Sequence, residues 1–88
     1  LKCHVLIDLK IRAFSYADVG QMNFYLNYYR KNKLQDGDNL PVGIVLCTDK
    51  EETKVEYATA GLDNKLFVSK YMVELPKKED LEALLREN

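Results

Sequence analysis

Asp8 and Lys10 stand two residues apart at the end of the run Val5-Leu6-Ile7-Asp8-Leu9-Lys10. The run is short, apolar and β-branched, so it reads as a buried strand. Alternate residues of a strand share a face, which sets Asp8 and Lys10 side by side with Leu6, while Val5, Ile7 and Leu9 fill the other face. An acid and an amine placed there lose hydration unless something compensates. A mutual salt bridge would do so. So would a divalent cation on Asp8, with Lys10 beside it acting on a water or a phosphate. These residues alone leave both readings open. A second pair, Gln21 and Tyr25, puts an amide and a phenol four residues apart on one helix face. Its plain reading is a Tyr25 that packs against the sheet and gives its hydroxyl a local partner.

The elements that must position these groups follow from the pattern of the chain. A first strand runs from about Lys2 to Leu9. Ser15 offers an N-cap, with Asp18 three residues on in a near capping box, and a helix is expected from Tyr16 to Lys33. Its stripe is Asp18, Gln21, Met22, Tyr25 and Tyr29, with Leu26 on the shoulder. Gly20 inside the helix suggests a close approach to another element, because it costs about 1 kcal/mol against Ala. Arg30, Lys31 and Lys33 suit the negative end of the helix dipole. After the turn-rich Gln35–Asn39, Val42–Cys47 reads as a second buried strand. Strand, long helix, strand implies a crossover with both strands in one sheet and the helix on its face. A short helix over Glu51–Ala60 is favoured over a strand. A further strand begins at Leu66 and extends towards Val73, and Pro76 opens a terminal helix over Lys77–Arg86. The short link from the first strand to the long helix brings Asp8, Lys10, Gln21 and Tyr25 around one small polar pocket.

The bounds are modest. Eighty-eight residues give one domain, and 47% hydrophobic with 31% charged residues excludes wholesale disorder. A formal net charge of −1 does not announce a nucleic-acid binder, although a site can be locally basic or metal-bridged. No apolar run is long enough for a membrane span and no signal peptide pattern is present, so a cytoplasmic protein without a membrane partner is expected. Cys3 and Cys47 have no zinc-ligand spacing and read as buried, reduced thiols. His4, the sole histidine, reads as structural. Leu1-Lys2-Cys3 already belong to the first strand, which suggests that partner strands N-terminal to it are missing.

Asp8-Leu9-Lys10 followed by Gln21-x-x-x-Tyr25 resembles the second half of the PD-(D/E)xK nuclease signature, in its variant with a Q-x-x-x-Y helix. Val5–Lys10, Gly20-Gln21-Met22-Asn23-Phe24-Tyr25-Leu26, Leu46-Cys47 and Val55-Glu56-Tyr57-Ala58 are similar to the C-terminal nuclease-like domain of a bacterial family, the YhcG-type proteins. The resemblance implies an α/β fold of the restriction-endonuclease type, with a mixed sheet, a long crossover helix and its N-terminal strands missing, so that residues 1–88 form a single partial nuclease-like domain. It implies Mg²⁺-dependent hydrolysis of phosphodiester bonds in DNA, with Mn²⁺ as a substitute. By position, Asp8 would be the acidic metal ligand, with the Leu9 carbonyl completing that side. Lys10 would orient or deprotonate the attacking water, and Gln21 and Tyr25 would contact the substrate near the scissile phosphate. The signature also needs an acid on a preceding strand, and none precedes Asp8 here, so these residues alone are expected to be inactive. An exposed edge on the first strand points to a homodimer. The alternative is a non-catalytic nucleic-acid-binding or assembly module on the same fold.

Overall fold

The computed structural model describes residues 3–72 and 77–86. Six elements alternate along them: β1 (Val5–Leu9), α1 (Tyr16–Asn32), β2 (Val42–Cys47), α2 (Glu52–Thr59), β3 (Lys65–Lys70) and α3 (Lys78–Arg86). The strands form one parallel sheet in the order β1-β2-β3. Asp8 lies beside Val45, and Val45 beside Val68. The resemblance implied a mixed sheet, but the three described strands are all parallel, because α1 and α2 make both connections between them helical crossovers rather than hairpins.

The inner face of the sheet carries Leu6, Asp8, Gly43, Val45, Cys47, Leu66 and Val68, and α1 lies across it. Phe14, Val19, Met22 and Leu26 close over Val45, Cys47, Leu66 and Val68, and Val55 and Ala58 of α2 pack against the same cluster. The outer face is bare among the described residues: Val5, Ile7, Leu9 and Phe67 are each more than half exposed. The strand alternation read from the sequence is therefore correct, but only one face of β1 is covered.

Four details differ from the sequence reading. β1 begins at Val5 rather than Lys2, and β3 stops at Lys70; Leu1, Lys2, Val73 and Pro76 lie outside the described residues. Cys47 is buried but Cys3 is exposed, since it precedes the strand. The buried stripe of α1 is Asp18, Val19, Met22 and Leu26, which moves Gln21 and Tyr25 from the centre of the interface to its rim. Gly20 approaches nothing, with open space where a Cβ would stand. The close approach is made instead by Gly43 on the central strand. A Cβ there would meet Met22 Cγ at 2.7 Å, Met22 Sδ at 2.8 Å and Leu26 Cδ1 at 2.9 Å. Among the described residues no helix is long and apolar enough to cross a membrane.

The two glycines make opposite predictions. Gly43→Ala should destabilise the fold by about 1–3 kcal/mol, because Met22 and Leu26 are fully buried and have little room to retreat. Gly20→Ala should stabilise it by about 1 kcal/mol through helix propensity. Urea unfolding of the two variants measures both, and a neutral Gly43→Ala would show that α1 can lift from the sheet at little cost.

Candidate active site

The chain leaves β1 at Leu9 and reaches α1 through a connection clamped at several points. The Lys10 N–H donates to the Leu46 carbonyl at 2.7 Å, and the Phe14 N–H to the Asp49 carbonyl at 2.8 Å. The Thr48 N–H donates to the Arg12 carbonyl at 3.0 Å, and the Tyr71 hydroxyl to the Lys10 carbonyl at 3.0 Å. The link thus follows the C-terminal end of β2 rather than looping into solvent.

Asp18 locks the start of the helix. Its carboxylate takes both arms of the Arg12 guanidinium, and its Oδ2 also accepts from the Ser15 backbone N–H at 2.9 Å. That last contact is the acidic half of the capping box expected from Ser15 and Asp18. Asp18 is almost fully buried while Arg12 remains about half exposed. The hydrogen bonds from Arg12 hold the Asp18 carboxyl below its ordinary value, outweighing the opposing effect of burial. Sequence reading assigned no role to Arg12 or Tyr71; Arg12 reaches across a turn and Tyr71 to a carbonyl 61 residues away, and no periodicity signals either partner.

Gln21 lies one turn beyond Asp18, on the rim of the helix facing β1. The Lys10 Nζ donates to Gln21 Oε1 at 3.1 Å. The same ammonium lies 3.2 Å from Asp8 Oδ2, with both side chains about four-fifths buried. That oxygen is inaccessible to solvent and receives no hydrogen bond. The contact with Lys10 is therefore an ion pair without hydrogen-bond alignment. The salt bridge anticipated as one of two readings of Asp8 and Lys10 is present, but it leaves an anionic oxygen unsatisfied.

The structure thus joins three of the four expected side chains. Tyr25 sits one turn past Gln21 on the same rim, 46% exposed, with its ring edge-on to Phe24 at 5.8 Å. It neither packs into the sheet, as its plain reading had it, nor makes a contact with Asp8 or Lys10 comparable to that of Gln21. His4 stands apart from the site, its ring tilted against Tyr29 at 5.1 Å. Burial pushes the Cys47 thiol up, so this cysteine stays an uncharged part of the core.

Asp18 gives the site a pH signature. Its folded value is depressed, so its stabilisation is complete above the ordinary value of 3.8 and is lost as pH falls from there through the folded value. Asp18→Asn should lower the denaturation midpoint at neutral pH, and the gap to wild type should narrow as pH drops below about 3.8. Denaturant titrations at stepped pH measure this; a gap that is constant down to pH 2 would mean that the Asp18 charge is not coupled to folding.

Comparison with known proteins places the chain in a family. The family model described as "YhcG PDDEXK nuclease domain" matches residues 1–86. The chain is 43% identical over 81 residues to the protein named "Putative nuclease YhcG" of Escherichia coli (strain K12), covering 92% of this chain and 22% of that protein. The chain therefore spans about a fifth of the length of this curated relative. No solved structure matches it. With nearly its whole length matched, the chain belongs to the YhcG PDDEXK nuclease domain family.

Proposed function

We propose that this chain carries the lysine-bearing half of a metal-dependent phosphodiesterase centre that acts on DNA. The observation that supports it is the Asp8–Lys10–Gln21 set: a buried carboxylate oxygen without a hydrogen bond, beside an ammonium that an amide oxygen holds in place. The Lys10 ammonium compensates the charge of that oxygen, but no aligned donor fills its lone pairs, which leaves them open to a cation.

A hard cation suits such an oxygen. Mg²⁺ or Mn²⁺ prefers anionic and carbonyl oxygens and keeps several waters. Asp8 would hold it through its carboxylate, with the Leu9 carbonyl as a second donor. When bound, the metal supplies polarisation of a phosphoryl oxygen and a more acidic water. Among the described residues no group of three or more His, Cys, Asp or Glu side chains converges on one point. Further protein ligands would therefore come from outside them.

The remaining work falls to the side chains in view. An ammonium has three donors. Lys10 directs one at Gln21 and makes an unaligned ion pair with Asp8, which leaves donor capacity for an attacking water or a non-bridging phosphate oxygen. Gln21 fixes the direction of that donor, and Tyr25 offers a phenol one turn along for the phosphate backbone.

The test is plasmid nicking and single-strand cleavage by the full-length protein, in Mg²⁺, in Mn²⁺ and with EDTA. Asp8→Ala and Lys10→Ala should each reduce metal-dependent cutting by about 10²-fold or more, with the circular dichroism spectrum unchanged. Gln21→Ala should cost less, about 10-fold, because it loosens the ammonium without removing it. Residues 1–88 alone should not cut. A full-length protein that binds DNA but never cuts it, with Asp8→Ala indistinguishable from wild type, would replace this reading with the non-catalytic module.

The same reading includes a homodimer. β1 is an edge strand among the described residues, and Val5, Ile7 and Leu9 leave an apolar strip on its outer face. Sedimentation should show a dimer that Ile7→Lys converts to monomer; a monomer at high micromolar concentration would remove the homodimer from the proposal.

A further inference from the structure

We propose that the exposed rim of α1 beyond Gln21 is a stacking platform for unpaired bases, which makes single-stranded nucleic acid the preferred substrate class. The inference rests on reading Asp8, Lys10 and Gln21 as a phosphodiester site. It goes beyond that reading by naming what lies next to the scissile bond.

The platform follows from the way α1 sits on the sheet. Burial of Met22 and Leu26 turns positions 21, 25, 28 and 32 to one exposed flank of the helix, since four, seven and eleven residues are close to whole turns. Tyr25 is 46%, Tyr28 55% and Phe24 64% exposed, so three aromatic rings stand in solvent along this flank. Between Gln21 and Tyr28 the helix rises about 10 Å, so the aromatic row begins at the site itself. A shallow groove of about 390 Å³ continues it, lined by Phe24, Asn27, Tyr28, Lys31 and Asn32. The Asn32 side chain is tied to the Tyr28 carbonyl at 2.9 Å, which keeps the end of the groove helical.

Its chemistry separates this surface from the aliphatic surfaces among the described residues, the outer face of β1 and the Leu81, Leu84 and Leu85 stripe of α3. Every exposed residue of α1 from Gln21 onward is an amide, an aromatic or a base; none is aliphatic and none is acidic. The outer face of β1, by contrast, exposes the aliphatic Val5, Ile7 and Leu9 and has no cation beside them on the strand. Bases stack on aromatic rings whatever their sequence, and Lys31 answers the phosphate charge between them. A duplex keeps its bases stacked on one another, so this surface has more to offer a single strand.

The test measures binding without cleavage. Full-length protein in EDTA is titrated against a fluorescent single-stranded oligonucleotide and against its duplex. Phe24→Ala and Tyr28→Ala should each weaken single-strand binding about 10-fold, while duplex binding changes by no more than about 2-fold. Tyr28→Trp should restore single-strand affinity and Tyr28→Leu should not, which separates stacking from apolar area. Lys31→Ala should reduce the salt dependence of single-strand binding by about 0.7 of a unit of slope. Equal losses on both ligands, or full rescue by Tyr28→Leu, would overturn the platform. So would unchanged binding together with an altered sedimentation coefficient, which would make the flank a protein contact. Loss of cleavage in Asp8→Ala with this binding pattern intact is expected. If wild type shows the binding pattern but never cuts, the phosphodiesterase reading fails while the platform stands.

Discussion

Asp18 sits at the first turn of α1, and its buried carboxylate is shared between the Arg12 guanidinium and the Ser15 backbone N–H. Three pieces of chain meet on that one group: the link leaving β1, the residue that caps the helix, and the helix itself. A guanidinium fork accepts few orientations, so the pair sets direction as well as distance. Gln21 is three residues further along, so whatever fixes the rotation of the first turn also fixes where Gln21 points. On the strand side, Lys10 is held through its own backbone by Leu46 and Tyr71. The 3.1 Å contact between Lys10 and Gln21 is therefore the meeting of two separately anchored groups. Two groups anchored in this way hold their mutual geometry more tightly than loop residues would.

The separation of helix and sheet is set elsewhere, at Gly43. Without a Cβ there, Met22 and Leu26 settle onto the backbone of the central strand, and α1 lies low over the sheet. A short amide such as Gln21 can then reach a lysine on the neighbouring strand. The core itself is thin, and its fully buried apolar side chains come mainly from α1 and β2. Packing and the Lys10–Gln21 geometry thus depend on the same few residues.

The element order was legible because strand and helix periods differ and each boundary carries its own signal: Ser15 with Asp18 at the start of α1, the turn-forming stretch before β2, and the glycine at the end of α2. The face of α1 was less legible. Tyr16, Phe24, Tyr25, Tyr28 and Tyr29 surround the helix with aromatic residues, and periodicity cannot tell an aromatic that fills a core from one that waits in solvent. The stripe was placed through Gln21 and Tyr25, whereas Met22 and Leu26 take the centre. Gly20 and Gly43 show the same limit. Both are glycines inside regular elements, yet only Gly43 has a neighbour, and no local pattern carries that fact. Arg12 was silent because its partner lies across a turn.

The position of the chemistry follows from the edge of the sheet. Val45 and Cys47 on the central strand point to the same face as Asp8 and are wholly buried, so a carboxylate or an ammonium at those positions would have no route to water or substrate. On β1 the same face runs out from under the helix. Asp8 and Lys10 are there left 23% and 22% exposed, enough to be reached and too little to be freely solvated. They stand at the C-terminal end of a parallel strand, where the chain turns away and a crevice opens, the general location of sites in open α/β sheets. The exposed rim of α1 looks over that same edge. A ligand arriving there would meet the aromatic row, the amide and the charged pair in turn. Among the described residues the charged pair is thus the part of the inner face that combines ionised groups with partial access, which is the physical argument for placing the proposed site at this edge.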